Sequence, residues 1–204
     1  MTTLEKLSML FGKFPGIGPR QARRFVYHLL SQDPAYIREL SEFIATIQDN
    51  IIECAECFRF FAKNGGGKTC DICSNSGRDH EYLMIVEQDA DIAPIERSGS
   101  YKGYYFVLGG TVPLLESEDM KKIRGGALKK IVEKRLKDGL KEVILAFSVN
   151  PDGENTARYV ESLLSGMRGK KKLKTSTLGR GLSTGSELEY VDDETIKNAL
   201  ENRS

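Results

Sequence analysis

All four cysteines of the chain fall in one short window, as Cys54-Ala-Glu-Cys57 and Cys70-Asp-Ile-Cys73, two Cys-x-x-Cys pairs with twelve residues between them. Each pair puts two thiolates on one tight turn. Two such turns face to face form the tetrahedral sulfur shell that Zn²⁺ prefers. The connecting loop carries Gly65-Gly66-Gly67, loose enough to let the pairs approach. A cation held by four thiolates keeps no open position for water or substrate, so the expected Zn²⁺ is structural. Two other readings compete. Disulfides need an oxidising compartment, and no leader segment precedes these residues. A thioredoxin-type redox pair follows a strand in a βαβ unit and has no use for a second tandem pair. Zinc and a cytoplasmic location are the expectation.

A chain of 204 residues can bury one medium core with appendages, or two modest domains. A net charge of +1 excludes a histone-like polycation, so any contact with nucleic acid must come from local clustering. Such clustering exists. Up to residue 35, Lys6, Lys13, Arg20, Arg23 and Arg24 face only Glu5 and Asp33. From Glu187 onward six acids outnumber Lys197 and Arg203. No apolar run approaches the roughly 18 residues of a membrane span.

The hydrophobic period changes at the cysteines. Before them it is helical: Leu4, Leu7, Leu10 and Phe11, then Ala22, Phe25, Val26, Leu29 and Leu30. Asp33-Pro34 opens a third helix that should turn Ile37, Leu40, Phe43, Ile44 and Ile47 inward. After the cysteines, Tyr82 to Val86, Tyr104 to Leu108 and Val143 to Phe147 are short continuous apolar runs that suit buried strands. A further strand is expected around Thr175 to Leu178. Helices fall between, one after Gly125-Gly126 with Gly139 as its left-handed cap, another after Asp152-Gly153-Glu154. A last helix is expected from Asp193 to Asn202. Alternating strands and helices imply an α/β fold with a mainly parallel sheet.

Phe14-Pro-Gly16-Ile-Gly18-Pro-Arg20 has the form of the hairpin in a helix-hairpin-helix unit. Two glycines around one apolar residue let a turn present its amides outward at the start of the next helix, where a DNA phosphate can sit. Arg20 and Arg24, one helical turn apart, share a face beside it, with Arg23 offset. Such contacts go to phosphate and carry no base information. The competing reading is a capping turn with solvated arginines.

Two strand ends carry acids: Glu87 after Leu83-Met-Ile-Val86, and Asp152 and Glu154 after the Val143 strand. Ligands of open α/β sheets bind at such ends. The pattern resembles the Toprim fold of topoisomerases and primases, in which a strand-end Glu is joined by Asp-x-Asp from a later strand. Ser148 and Asn150 occupy the Asp-x-Asp positions here. One glutamate opposite a serine and a neutral amide is a poor cage for Mg²⁺. Glu87, Asp152 and Glu154 are therefore expected to serve structure or a partner protein, and a metal-dependent Toprim nuclease or primase-like enzyme is the alternative.

The order of these motifs resembles the RecR family of bacterial recombination mediators over nearly the whole chain. The likeness includes Leu10 to Leu30, the cysteines, Ile95-Glu96-Arg97 and Gly103 to Gly110. It continues through Val143 to Ala146, Gly153-Glu154-Asn-Thr156-Ala157-Arg-Tyr159, Gly179-Arg-Gly181 and Leu188-Glu189-Tyr190-Val-Asp192. The resemblance implies four parts: a helix-hairpin-helix region over 1–52, a four-cysteine zinc finger over 53–78, a Toprim domain over 79–178 and a C-terminal oligomerisation segment over 179–204. It implies no catalysis, and assembly into ring-like dimers or tetramers. It further implies DNA contact through Gly16, Gly18, Arg20 and Arg24, and work with RecO and RecF to load RecA on single strands coated by SSB. On the same basis Asp152 and Glu154 fall in the region that meets RecO; Glu87 is grouped with them as a partner-binding residue only by the reading of the three acids as one face for a basic partner protein.

Other features carry less. His28 and His80 are not needed as ligands beside four thiolates. Phe58, Phe60 and Phe61 are expected to fill the small core of the zinc module rather than stack on bases. The run Lys170 to Lys174 reads as a solvated turn. Gly179 to Ser186 lacks the Gly-Lys-Ser/Thr ending of a phosphate loop.

Overall fold

The computed structural model describes the chain except residues 64–65, 115–120, 168–172, 180, 183–184, 186 and 202–204. Two compact units divide it, Met1–Ile51 and Ile52–Ser204.

The first unit is helical, with α1 (Thr3–Phe11), α2 (Pro19–Leu30) and α3 (Pro34–Asn50). Thr2 caps α1 in a reciprocal box: the Glu5 amide donates to its hydroxyl, and its own amide donates to Glu5 Oε2 at 2.7 Å. The Phe11 ring meets Phe14 and Phe25 edge-on, both at 5.8 Å, which ties the end of α1 to the hairpin and to α2. Ala22 and Val26 are the buried residues of α2. Asp33 caps α3 by accepting from the Ala35 amide at 2.6 Å, with Pro34 in the first position. The expected inward stripe of α3 is only half realised. Ile37 and Leu40 are half-buried, whereas Phe43, Ile44 and Ile47 are exposed, since nothing described covers the C-terminal half of the helix.

From the boundary onward, β1 (Ile51–Glu53) and β2 (Phe60–Ala62) form a small ribbon around the first cysteine pair, and α4 (Asp71–Ser74) carries the second. The sheet follows: β3 (Tyr82–Val86), α5 (Ile92–Ser98), β4 (Tyr104–Val107), α6 (Gly125–Lys137), β5 (Glu142–Ala146), α7 (Pro151–Ser165) and β6 (Lys174–Thr177). α8 (Asp193–Glu201) closes the described chain. The expected strands are present, and all their pairings are parallel in the order β4-β3-β5-β6. The short helix α5 has no counterpart in the hydrophobic pattern. Among the described residues no helix is long and apolar enough to cross a membrane. Lysines 170–172 and most of the loop beyond Pro113 lie outside the described residues, as does the expected end of the last helix at 202.

Alternation along the strands sorts the core into two faces. Leu83, Ile85, Tyr104, Phe106, Val143 and Leu145 point to a layer built from α6 and α7, through Leu128, Val132, Val160 and Leu164. Met84, Val86, Tyr105 and Val107 point the other way, and there they meet Cys54, Cys57, Cys70 and Ile72 together with Ile92 of α5. The cysteine module thus covers the second face of the sheet, where an α/β fold ordinarily places helices. Phe58 and Phe61 join this packing, while Phe60 is exposed on the outer side of β2, so the module shares the core of the sheet instead of building its own.

Local signals explain where the elements stop. α6 ends in a Schellman turn: Gly139 takes φ +102°, and the Leu140 amide donates to the Arg135 carbonyl at 3.0 Å with the Leu140 side chain buried. α7 starts at Pro151 behind Asn150, whose side chain accepts from the Gly153 amide at 2.8 Å. This close return leaves no room at Gly153, where an added Cβ would lie 1.9 Å from the Ser148 carbonyl oxygen. Gly153→Ala is therefore expected to cost about 3 kcal/mol or more in urea unfolding. Gly126→Ala, on the open first turn of α6, should be neutral or stabilising by about 0.5–1 kcal/mol.

Candidate metal centre, sheet crevice and nucleic-acid surface

The cysteine pairs are held by short backbone bonds. The Cys54 amide donates to the Arg59 carbonyl at 2.8 Å, the Phe58 amide to the Cys54 carbonyl at 3.0 Å, and the Ala55 amide to the Lys68 carbonyl at 2.9 Å. Cys70 stands at the N-cap of α4, with Cys73 in the same turn. All four Sγ atoms lie within 4.8 Å of one another, and Cys57 Sγ and Cys70 Sγ are 3.6 Å apart. A tetrahedron of Zn–S bonds of about 2.3 Å has edges of about 3.8 Å, so the four residues can hold such an ion. The Cys70 amide points at Cys54 Sγ at 3.4 Å, the outer-shell donor that a metal thiolate favours. Crowding splits the thiols. Hydrogen bonds from Cys57, Cys70 and Cys73 pull Cys54 down, while its bonds with Cys54, Cys57 and Cys70, and then burial, push Cys73 up. Four thiolates this close coexist only around a cation.

One residue of the knuckle is strained. Phe58 has φ +63°, the only positive φ outside glycine among the described residues. Its ring packs edge-on against Phe106 at 5.2 Å and lies 5.4 Å from the Arg124 guanidinium, contacts that offset a backbone cost of about 1–2 kcal/mol.

The module is fastened to the sheet on all sides. The Val107 amide donates to the Cys57 carbonyl at 2.8 Å, which satisfies part of the open edge of β4. The Phe60 amide donates to Asp89 at 2.6 Å, Arg124 pairs with Glu53, and Lys134 pairs with Glu56 at 2.5 Å. Behind the last cysteine, Arg78 forks onto both oxygens of Glu96 at 2.7 and 2.9 Å, and its Nε donates to the Gly103 carbonyl at 2.8 Å. The Tyr105 hydroxyl donates to the same Glu96 at 2.6 Å. Arg78 holds the Glu96 carboxyl below the usual carboxylate range, and burial pushes the Tyr105 phenol up. Sequence reasoning missed Arg78, Arg124 and Lys134 because their partners are 18, 71 and 78 residues away.

The chain leaves β3 toward β4 on one side, and β5 lies on the other, so the sheet has its switch point between β3 and β5. Glu87 and Ser148 sit at that crevice. The Ser148 amide donates to Glu87 Oε1 at 2.6 Å and its hydroxyl to Oε2 at 3.1 Å. Glu87 is only 9% exposed, with each of its oxygens engaged. Asn150, at the second Asp-x-Asp position, is committed to the cap of α7. Asp152 and Glu154 are exposed on the first turn of that helix, apart from Glu87 in role. Thr156 and Asn155 pin the loop after β4 from the same helix, through the Val112 amide at 2.7 Å and the Val112 carbonyl at 3.0 Å. Beside it opens a cavity of about 440 Å³ lined by Phe147, Ser148, Val149, Arg158 and Leu178.

In the first unit the hairpin turns at Gly16, φ +73°, and the Ile17 amide closes onto the Phe14 carbonyl at 3.1 Å. Gly18 is the N-cap of α2 and brings no side chain to it. Pro19 has no N–H, so the open first-turn donors are the amides of Arg20 and Gln21. Arg20, Arg23 and Arg24 are exposed, and none is held in an ion pair among the described residues.

Three family models match the chain: the RecR helix-hairpin-helix over residues 4–47, the Toprim domain over 81–177 and the RecR C-terminal segment over 181–204. Curated relatives named recombination protein RecR match nearly from end to end. One from Prochlorococcus marinus strain MIT 9312 is 34% identical over 98% of this chain and 95% of its own length. One from Ruegeria sp. strain TM1040 is 35% identical over 98% and 94%, and one from Dehalococcoides mccartyi strain ATCC BAA-2266 is 37% identical over 98% and 93%.

Because the Glu96 carboxyl is depressed in the folded chain, its pairing stabilises above the unfolded carboxyl range and is lost as pH falls below about 4. Glu96→Gln should cost about 2 kcal/mol at pH 7 and much less at pH 3, read by urea titration at both. Metal removal by a chelator should strip amide-exchange protection from Met84, Val86 and Val107 as well as from the cysteine turns. Loss confined to the turns would show that the sheet face stands without the module.

Proposed function

The chain belongs to the RecR family, and on that footing we propose that it is a DNA-binding mediator of recombinational repair that grips nucleic acid without cutting it. One observation carries the reading: a glycine-capped helix start, with open amides, beside Arg20 and Arg24, which are exposed and without an ion pair among the described residues. That arrangement suits a phosphate backbone, duplex or single strand, and reads no sequence. Gly16 and Gly18 shape the turn, and the two arginines supply the charge.

The ion in the cysteine site is Zn²⁺, held by Cys54, Cys57, Cys70 and Cys73 as a structural centre. The four-part division at 52, 78 and 178 describes what each stretch does, although the module over 53–78 packs as a layer of the sheet. The protein acts with RecO, and with RecF where present, to help load RecA on SSB-coated single strands in the cytoplasm. Asp152 and Glu154 meet the partner from the exposed turn of α7. Glu87 drops out of that surface, because a buried carboxylate closed by Ser148 faces no partner. Assembly into a ring of two or four copies is supported by the uncovered Phe43, Ile44 and Ile47 on α3. The engagement of Ser148 with Glu87 and of Asn150 with the α7 cap disfavours the nuclease or primase alternative, which needs those positions as ligands.

In fluorescence anisotropy with a labelled oligonucleotide, Arg20→Ala/Arg24→Ala should weaken binding roughly tenfold on every sequence and reduce the salt slope by about 1.4 on single strands. Equal affinity of wild type and variant at low salt would remove the hairpin from the DNA surface. Strand cleavage or joining in the presence of Mg²⁺ would return the enzyme reading.

A further inference from the structure

The exposed side of α2 holds more than arginine. Tyr27 is 59% exposed. It makes no hydrogen bond and no ring contact among the described residues, whereas the nearby Phe14 and Phe25 rings are both taken up by Phe11. On a helical wheel of 100° per residue, Tyr27 lies about 20° from Arg20, with Arg23 about 40° to one side of it and Arg24 about 60° to the other. The buried Ala22 and Val26 lie about 140° and 100° away from Tyr27. The ring therefore shares one face of α2 with three arginines, about one turn beyond Arg23 and Arg24 and two turns beyond Arg20, and none of the three is ion-paired among the described residues.

We propose that Tyr27 is a stacking platform for an unpaired base, so that α2 holds single-stranded DNA by base stacking as well as by phosphate contact. The inference rests on the reading of α2 as a DNA-contacting helix and adds a preference to it. Phosphate contacts by Arg20, Arg23 and Arg24 treat duplex and single strand alike. A free aromatic face on the same side of the helix, one turn beyond such cations, accepts only a base that has left its own stack, and every base offers such a face. Charge complementarity selects a polyanion, and the ring selects its unpaired form. A purely ionic surface gains nothing from an aromatic ring in this place.

The full chain contains no tryptophan, so Tyr27→Trp adds a lone reporter. Its fluorescence should be quenched by oligo-dT and left unchanged by a mixed-sequence duplex or by a strand of abasic residues. Tyr27→Ala should weaken oligo-dT binding roughly tenfold and duplex binding less than twofold, and Tyr27→Phe should retain both. The proposal is overturned if Tyr27→Ala lowers both affinities equally, lowers neither, or lowers the oligomer mass in sedimentation, which would make Tyr27 an interface residue. The arginine pair separates the two levels. If Arg20→Ala/Arg24→Ala leaves all DNA binding intact, the DNA reading of α2 itself fails; if the arginines matter and Tyr27 does not, only the stacking fails.

Discussion

Four sulfur atoms hold one face of the sheet in place. Met84, Val86, Tyr105, Val107 and Ile92 are buried against residues that only a closed cysteine cluster brings together. At about 1.5–3 kcal/mol for each large apolar side chain, that face contributes on the order of ten kcal/mol, as much as a whole domain retains as net stability. The opposite face needs no such help, because α6 and α7 cover it with ordinary helical stripes. The metal ligands are thus part of the core and not an appendage to it. The pairs Arg78–Glu96, Arg124–Glu53 and Lys134–Glu56 fasten the layer at its rim, with the first the most enclosed.

The crevice between β3 and β5 shows how a strand-end acid is retained without an ion. A carboxylate at this depth must find donors, since leaving it unpaired costs several kcal/mol. Ser148 supplies two, one from its backbone and one from its hydroxyl. Asn150 serves α7 in the same turn. A switch point that holds ligands in other α/β sheets is closed here by the protein itself, and the acids that remain exposed lie on the outer turn of α7. On the function proposed above, the chain works by contact, through amides and guanidiniums in the first unit and carboxylates in the second.

Much of this is legible in residue order. Cys-x-x-Cys spacing identifies the ligand set, because two thiolates per tight turn need only local geometry. Strands such as Leu83 to Val86 are visible as apolar runs, and Pro34 and Gly139 mark helix ends through their own backbone chemistry. Ser148 and Asn150 announce that the acidic crevice has changed. Less legible are α5, too short for a helical stripe to register, and the outward face of α3, whose apolar residues predict burial without saying against what. Charge alone groups Glu87 with Asp152 and Glu154, and burial divides them.

Residue order settles whatever depends on neighbours within a turn or two: the four ligands, the glycine hairpin with its arginines, the caps and the strand alternation. It took the packed fold to establish that the cysteine module replaces a helical layer, that Arg78 finds Glu96, and that Glu87 is closed by Ser148. The last two are contacts between residues 18 and 61 positions apart. No local propensity encodes such pairings, because a charged or apolar side chain states only that it needs a partner, and the path of the sheet settles which one it meets.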